Sequence, residues 1–133
     1  MKQLFTVTTL ILLSLLTFIS CSQAADSSKS TEIVPGIPVK NTVTIVDLGA
    51  KTCIPCKLMA PILEELKKEY AGRAEVIFID VWDQANAGKA AAFKIMIIPT
   101  QIFYDKQGKE VFRHSGFFEK GAIIAKLDEL IGK

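Results

Sequence analysis

Two cysteines separated by two residues, Cys53 and Cys56, lie between an apolar run and an amphipathic pattern, and this placement limits the folds open to the chain. The run Val43–Leu48 predicts a buried strand that only Asp47 interrupts. From Cys56 to about Tyr70 the apolar residues recur on one face of a helix. The pair is therefore expected where a loop enters the first turn of a helix, a spacing that brings both sulfurs within disulfide reach.

The hydrophobic pattern of the remaining chain predicts the element order β-α-β-α-β-β-α. Strands are expected at residues 43–48, 76–81, 100–104 and 109–113, and helices at 56–70, 84–93 and 120–131. The strand–helix–strand unit at the start implies parallel pairing, whereas a turn at 105–108 makes the last two strands an antiparallel hairpin. We therefore expect an α/β domain with a mixed four-stranded sheet flanked by helices.

The first 21 residues have the features of a targeting segment. Lys2 is followed by an uncharged stretch from Leu4 to Ile19, the arrangement of a secretory signal. A transmembrane anchor is the alternative, but this stretch of 16 residues is just short of the usual span of about 17–25. We predict a signal peptide over 1–21, a polar, proline-containing linker over 22–40, and one folded domain over 41–133.

Two processing sites compete at the end of this signal. Residues 22–24 offer small side chains to a signal peptidase, which would cut before Ala25. Alternatively, residues 18–21 resemble a bacterial lipobox, in which Cys21 becomes the lipidated first residue of the mature chain. The second interpretation is favoured because it accounts for Cys21. The protein is expected in the bacterial periplasm, in contact with the membrane only through such a lipid anchor.

The composition excludes several other classes of protein. Half of the residues are hydrophobic, which excludes an intrinsically disordered chain. The 16 basic residues against 14 acidic ones leave a net charge of +2, which is too weak for a protein that binds nucleic acid through a basic field. A zinc site needs four ligands, and beyond Cys53 and Cys56 the chain offers only Cys21 and His114. A purely structural disulfide across so short a loop would restrain the unfolded chain little. We expect a monomer with no metal or other cofactor.

Thiol–disulfide exchange is the chemistry expected of the cysteine pair. Free N–H groups and a partial positive charge at a helix N-terminus lower the pKa of a thiol placed there. Cys53, the more exposed position in such a turn, is assigned as the nucleophile, and Cys56 as the resolving thiol that breaks the mixed disulfide. Pro55 suits the start of a helix, and Lys51 and Lys57 add a favourable field.

Several motifs in the same order resemble the thioredoxin family over about residues 42–132. Residues 53–57, Cys-Ile-Pro-Cys-Lys, are similar to the Cys-Gly-Pro-Cys-Lys of the family, and the other matching positions are Val46-Asp47, Ala60–Leu63, Ile98-Pro99-Thr100 and Gly116. The resemblance implies a thioredoxin-like fold in which Asp47, its pKa raised by burial, handles the proton of Cys56. It also implies that Pro99 is cis and faces the dithiol, and that the backbone of Ile98 pairs with an extended substrate segment.

The sequence also departs from the family pattern. Thr52 and Gly49 stand at positions where tryptophan is common, and Phe78 replaces the lysine that often partners the buried aspartate. Residues 35–38, with two prolines and a glycine, leave no room for the first helix of the family, which we predict to be missing or shortened. The substrate surface and the redox potential therefore cannot be copied from cytosolic thioredoxin.

Export together with the resemblance implies a periplasmic protein-disulfide reductase. Its partners would be substrate proteins that carry disulfides and a membrane thiol transporter that supplies electrons. Pro55, directly before Cys56, resembles thioredoxins and exported reductases, whereas strong oxidants carry a histidine there. The alternatives are a disulfide oxidase or isomerase, and a tethered, non-catalytic module with a thioredoxin fold.

Overall fold

The computed structural model describes residues 34–132. The predicted signal peptide, Cys21 and the first part of the predicted linker lie outside the described residues. The elements are β1 (Val43–Gly49), α1 (Ile54–Glu69), β2 (Ala74–Asp80), a 3-10 turn (Gln84–Asn86), α2 (Lys89–Ala92), β3 (Thr100–Tyr104), β4 (Glu110–Ser115) and α3 (Lys120–Ile131). Within the described range no helix precedes β1, and none is long and apolar enough to cross a membrane.

The four strands form one sheet in the order β2-β1-β3-β4. β1 pairs in parallel with β2 and antiparallel with β3, and β3 pairs antiparallel with β4. All seven residues of β1 are buried, since this inner strand is covered on both faces of the sheet. The mixed four-stranded sheet confirms the predicted α/β architecture.

α1 and α3 cover one face of the sheet. The cluster beneath them joins side chains of β1, β2 and β3 to the inner faces of both helices, and it contains Ile45, Met59, Leu66, Phe103 and Leu127. Phe103 is fully buried and makes edge-on contacts with the rings of Phe112 and Phe118. This packing fixes the start of α1, and with it the cysteines, above the C-terminal end of β1.

A second, smaller cluster covers the opposite face. Val46, Leu48 and Phe93 belong to it, and Val34 and Ile37 pack against it from the start of the described chain. A bridge pairs Val34 with Ile37, and the Ile37–Pro38 peptide is cis. Residues from Val34 onward, within the predicted linker, therefore already contact the folded domain.

The single helix predicted over 84–93 is wrong. The segment divides into the 3-10 turn at 84–86 and the four-residue α2, with Gly88 between them. Gly88 has φ of +83°, a left-handed conformation that glycine adopts at little cost and that interrupts a helix. The alanines favoured a helix in the prediction, but this glycine turns the chain and allows Phe93 to enter the second cluster.

Candidate active site

Cys53 is the N-terminal cap of α1. Its backbone is extended, with ψ of 129°, and its Sγ accepts a hydrogen bond of 3.4 Å from the backbone N–H of Cys56. Pro55, at the beginning of the helix, removes an N–H that would have no partner there. The capping geometry turns Sγ of Cys53 toward the free N–H groups of the helix, which favour a negative charge on sulfur.

Cys53 and Cys56 are joined by a disulfide, with 5.3 Å between their Cα atoms. The two sulfurs differ in access. Cys56 is only 3% exposed, whereas Cys53 is partly exposed. An incoming protein sulfur can therefore reach Cys53, while Cys56 can attack only a group already attached to its neighbour. This difference in burial fits the predicted roles of nucleophile and resolving thiol.

The loop before Cys53 is held by the carboxylate of Asp80, at the end of β2. Its two oxygens accept hydrogen bonds from the backbone N–H groups of Lys51, at 3.3 Å, and Trp82, at 3.0 Å. A further bond of 3.1 Å runs from the N–H of Cys53 to the carbonyl oxygen of Ala50. These bonds tie the loop to the sheet and place the cysteines at one end of β1 and β2.

Gly49 lies directly against the buried cysteine. A Cβ atom at this position would be 3.2 Å from Sγ of Cys56 and 3.1 Å from Cε2 of Phe78. The ring of Phe78 thus occupies space beside the position where the family commonly has tryptophan. An open pocket of about 210 Å³ next to Cys56 is lined largely by apolar side chains, among them Phe78 and Leu63, with Lys57 and Glu64 also in its wall.

Asp47 is fully buried, as the resemblance implied. Its Oδ1 accepts a hydrogen bond of 2.6 Å from Nε2 of Gln101, and its Oδ2 has no hydrogen-bond partner among the described residues. Burial raises the pKa of the Asp47 carboxyl from 3.8 to about 6, and the Gln101 bond opposes part of this rise. The group can therefore exchange a proton near neutral pH.

Asp47 belongs to a row of four side chains that crosses the sheet. Phe78 of β2 and Gln101 of β3 are its register partners on either side, and His114 of β4 is the partner of Gln101. Directly opposed residues share a face of the sheet, here the face covered by α1 and α3. The His114 ring stacks on Phe118, and its Nε2 lies 3.1 Å from the Phe117 carbonyl oxygen.

The Ile98–Pro99 peptide is cis, as the resemblance implied. The carbonyl oxygen of Pro99 accepts a hydrogen bond of 2.7 Å from the N–H of Gly116. Because Leu48 pairs with Thr100, Pro99 is level with Gly49 and so lies at the end of the sheet that carries the cysteines. The structure thus brings Pro99 and Ile98 to the predicted location, while substrate binding by them stays a prediction.

Exposed apolar side chains lie close to the cysteines and Pro99 in the chain. Met96 is 95% exposed and Ile97 58%, both just before Pro99. Ile54, next to Cys53, is 76% exposed, and Phe117, which follows Gly116, is 38% exposed. Among residues 34–132 no group of three histidine, cysteine or acidic side chains could hold a metal ion. The arrangement offers an exchangeable disulfide, a buried proton acceptor and an apolar surface.

Sequence reasoning did not find Gln101. The strand that contains Gln101 was predicted. Its contact with Asp47, however, depends on the register in which β3 pairs with β1. The available signal was a long polar side chain in a short, mostly apolar strand two residues after Pro99. Met96 and Ile97 were missed as well, since exposed apolar residues in a loop have no periodic signature.

Comparisons with known proteins agree with this geometry. The family model described as Thioredoxin matches residues 27–129. A thioredoxin of Staphylococcus aureus is 40% identical over 91 residues, which cover 68% of this chain and 85% of that relative. A thioredoxin of Staphylococcus haemolyticus matches with the same identity and coverage. The exposed lipoprotein thioredoxin of Streptococcus pneumoniae, a solved structure, matches with a TM-score of 0.63 and 26% identity over 68% of this chain and 87% of that one.

Proposed function

The chain belongs to the thioredoxin family, whose members exchange thiols and disulfides with substrate proteins, and on that basis we propose that it reduces protein disulfides outside the cytoplasm. The observation that carries this proposal is the disulfide between Cys53 and Cys56 at the start of α1, with one sulfur accessible and the other buried. That asymmetry suits an enzyme that forms a transient bond to a partner and then releases it.

The proposed reaction begins with the reduced pair. The thiolate of Cys53 attacks one sulfur of a substrate disulfide, so that the substrate S–S bond breaks and a mixed disulfide forms. Cys56 then loses its proton, which Asp47 accepts, and its sulfur attacks Sγ of Cys53. The mixed disulfide breaks, the substrate leaves with two reduced sulfurs, and the enzyme retains the Cys53–Cys56 disulfide. Two electrons have passed from the enzyme to the substrate.

The direction of transfer is inferred from the residues around the pair. Pro55 precedes Cys56 in place of the histidine of strong oxidants, so the Cys53 thiolate lacks that added stabilisation. A less stabilised thiolate makes the dithiol a better reductant. The backbone of Ile98, next to the cis proline, would pair with an extended segment of the substrate, and the apolar side chains Met96 and Ile97 would contact it.

The cellular location is inferred from the N-terminal sequence. The pattern over residues 1–21 supports export to the periplasm, and Cys21 at its end supports a lipid anchor. One similar protein is described as an exposed lipoprotein thioredoxin. An enzyme in that oxidising compartment needs a source of electrons, for which we propose a membrane thiol transporter.

Replacing Cys56 with serine is expected to accumulate mixed disulfides between Cys53 and substrate proteins. Without the resolving thiol the second step is lost, and the covalent complex persists. The variant would be expressed in full length in a bacterial cell, the free thiols blocked with acid and an alkylating agent, and the complexes identified by non-reducing electrophoresis and mass spectrometry. A variant with serine at both Cys53 and Cys56 is the matched control, and it should capture nothing.

Two results would contradict the reductase proposal. Absence of any trapped protein, in a cell that expresses the folded variant, would argue against thiol exchange and in favour of a non-catalytic module. A reduction potential of the wild-type pair well above about −200 mV would instead indicate an oxidase or isomerase.

The anchor is tested on the mature protein itself. We expect the chain to be recovered from the membrane fraction beginning at a lipid-modified Cys21, as determined by mass spectrometry of its N-terminal peptide. Replacing Cys21 with serine should remove the lipid and change the processing of the chain. A mature chain that begins at Ala25 in both proteins would show a soluble secreted enzyme instead.

A further inference from the structure

Gln101 is an amide side chain enclosed in the sheet. All five residues of β3 are buried, and Gln101 is completely so. Its Nε2 donates the 2.6 Å bond to Asp47, and its Oε1 has no hydrogen-bond partner in the described part of the chain. An amide buried without full pairing is costly, so a structural purpose alone would be better met by an apolar side chain. The one bond it makes is to the carboxyl group.

That carboxyl group lies on the side of the sheet that holds the sulfur of Cys56. Side chains alternate along a strand, so Asp47 and Gly49 face the same side. Gly49 is the residue whose Cβ would be 3.2 Å from Sγ of Cys56. Asp47 is one pleat away, roughly 7 Å along the strand. A proton can cross that separation through one bridging water that is hydrogen-bonded to the sulfur and to the carboxylate.

We propose that Gln101 is a positioning residue that holds Oδ1 of Asp47 through its buried amide and leaves Oδ2 as the oxygen that accepts the proton of Cys56. This inference rests on the proposed exchange reaction. In the proton transfer the S–H bond of Cys56 breaks and an O–H bond forms at Oδ2 of Asp47, with no electrons entering or leaving the cysteine pair.

The amide also replaces a missing counter-charge. The register neighbour of Asp47 on β2 is Phe78, an uncharged ring at the position where the family often has lysine. An N–H donated to a carboxylate stabilises its charged form, so Gln101 keeps the pKa of Asp47 from rising further. In this chain the neutral amide of Gln101 on β3 therefore provides part of the stabilisation of the Asp47 carboxylate that a lysine on β2 would otherwise provide.

The other groups on this side of the sheet are few. α1 contributes Cys56, and its Lys57 and Glu64 line the pocket beside that residue. β4 contributes His114, the register partner of Gln101. β2 contributes Phe78 and, level with Gly49, the carboxylate of Asp80, which accepts the N–H bonds of Lys51 and Trp82. Of these groups His114 is the ionisable side chain paired directly with Gln101 in the sheet register, so a change at Gln101 also alters its surroundings. A test must therefore separate His114 from Asp47.

Replacing Gln101 with methionine keeps the length of the side chain and removes the donor. We expect the titration midpoint of Asp47 to move upward from about 6 by roughly one pH unit, because the charged carboxylate loses its hydrogen bond. The midpoint would be followed by carbon-13 NMR of the Asp47 carboxyl group in the full-length, oxidised protein. The rate of disulfide reduction by the reduced enzyme should show the same upward displacement of its pH profile.

Two control variants make the measurement specific. Tyr104→Phe removes a buried hydroxyl that has no partner among the described residues, on the same strand but the other face, and should leave the midpoint in place. His114→Gln should leave it in place as well. Gln101→Leu is a second donor-free variant in case the methionine variant does not fold.

An unchanged Asp47 midpoint in either folded donor-free variant would overturn the role of Gln101, and so would an equal displacement in Tyr104→Phe. The NMR titration does not require activity. If the wild-type protein reduces no disulfide but the midpoint moves as expected, the proposed function fails while the contact between Gln101 and Asp47 stands.

Discussion

Replacing Cys53 with serine is expected to lower the rate of protein-disulfide reduction by roughly a thousandfold or more. A serine hydroxyl does not ionise near neutral pH and cannot form a disulfide, so the attack on the substrate is lost. Cys56 cannot take over, because it is 3% exposed and has no access to an incoming protein sulfur. The rate would be measured on the interchain disulfides of insulin, with dithiothreitol as the electron source.

The third cysteine provides the matched control for this variant. Cys21→Ser makes the same chemical change outside the described residues and outside the predicted domain, and the purified protein should keep its full rate. Folding of the Cys53→Ser variant would be compared with that of the reduced wild-type protein by urea denaturation. A folded variant that retained more than about a tenth of the wild-type rate would exclude Cys53 as the nucleophile.

Replacing Asp47 with asparagine is expected to remove a pH-dependent loss of stability. The unfolded chain releases the Asp47 proton near pH 3.8, whereas the folded protein holds it until about pH 6. This group therefore favours the folded state fully below about pH 4, and its contribution is lost as the pH rises through 6. A pKa difference of about two pH units corresponds to roughly 3 kcal/mol.

The measurement is the free energy of unfolding of the oxidised wild-type protein and variant at pH 4 and pH 8. The advantage of Asp47→Asn over wild type should be larger at pH 8 than at pH 4 by roughly 2 to 3 kcal/mol. The comparison uses the difference in unfolding free energy between variant and wild type at each pH. The contributions of other titrating groups, and any pH-independent cost of the new amide, cancel between the two pH values. Equal differences at both pH values would mean that Asp47 ionises as easily in the folded protein as in the unfolded chain.

Glu65→Gln is a control with the opposite sign. Lys120 donates a hydrogen bond of 2.8 Å to Glu65, and this contact lowers the pKa of that exposed carboxyl. A lowered pKa stabilises the fold above the ordinary pKa of the group, and this stabilisation is lost on acidification. The Gln variant should therefore lose slightly more stability at pH 8 than at pH 4.

The elements that the sequence predicted well are those with one dominant physical cause. β1 was expected over 43–48 and is observed at Val43–Gly49, because a strand covered on both faces needs a continuous apolar run. α1 was expected from Cys56 and begins at Ile54, since its apolar face must meet the sheet. The cysteines and Pro99 are identified by spacing and motif, and the structure places all three at one end of the sheet.

The features that the sequence did not reveal depend on tertiary register or on a single backbone angle. The helix expected over 84–93 is interrupted by the left-handed conformation of Gly88, a residue that weakens a helix but does not by its presence fix where the helix breaks. The bond between Gln101 and Asp47 exists only because β3 pairs with β1 in one register of two that differ in face. The sequence does show a glycine before the alanines and a polar side chain in an apolar strand, but neither residue by itself specifies a backbone angle or a strand register.

Val34 already packs against the second cluster, so only the chain before it can act as a tether. This limits the distance between the folded domain and a bilayer that holds a lipid at Cys21. A lipid at Cys21 would be separated from Val34 by the 12 residues 22–33, and a fully extended chain over that separation reaches about 45 Å at most. That distance is comparable to the diameter of a small protein. A lipid-anchored enzyme of this kind would therefore serve disulfides on membrane proteins and on proteins close to the lipid surface, and it would draw electrons from a donor in the same bilayer.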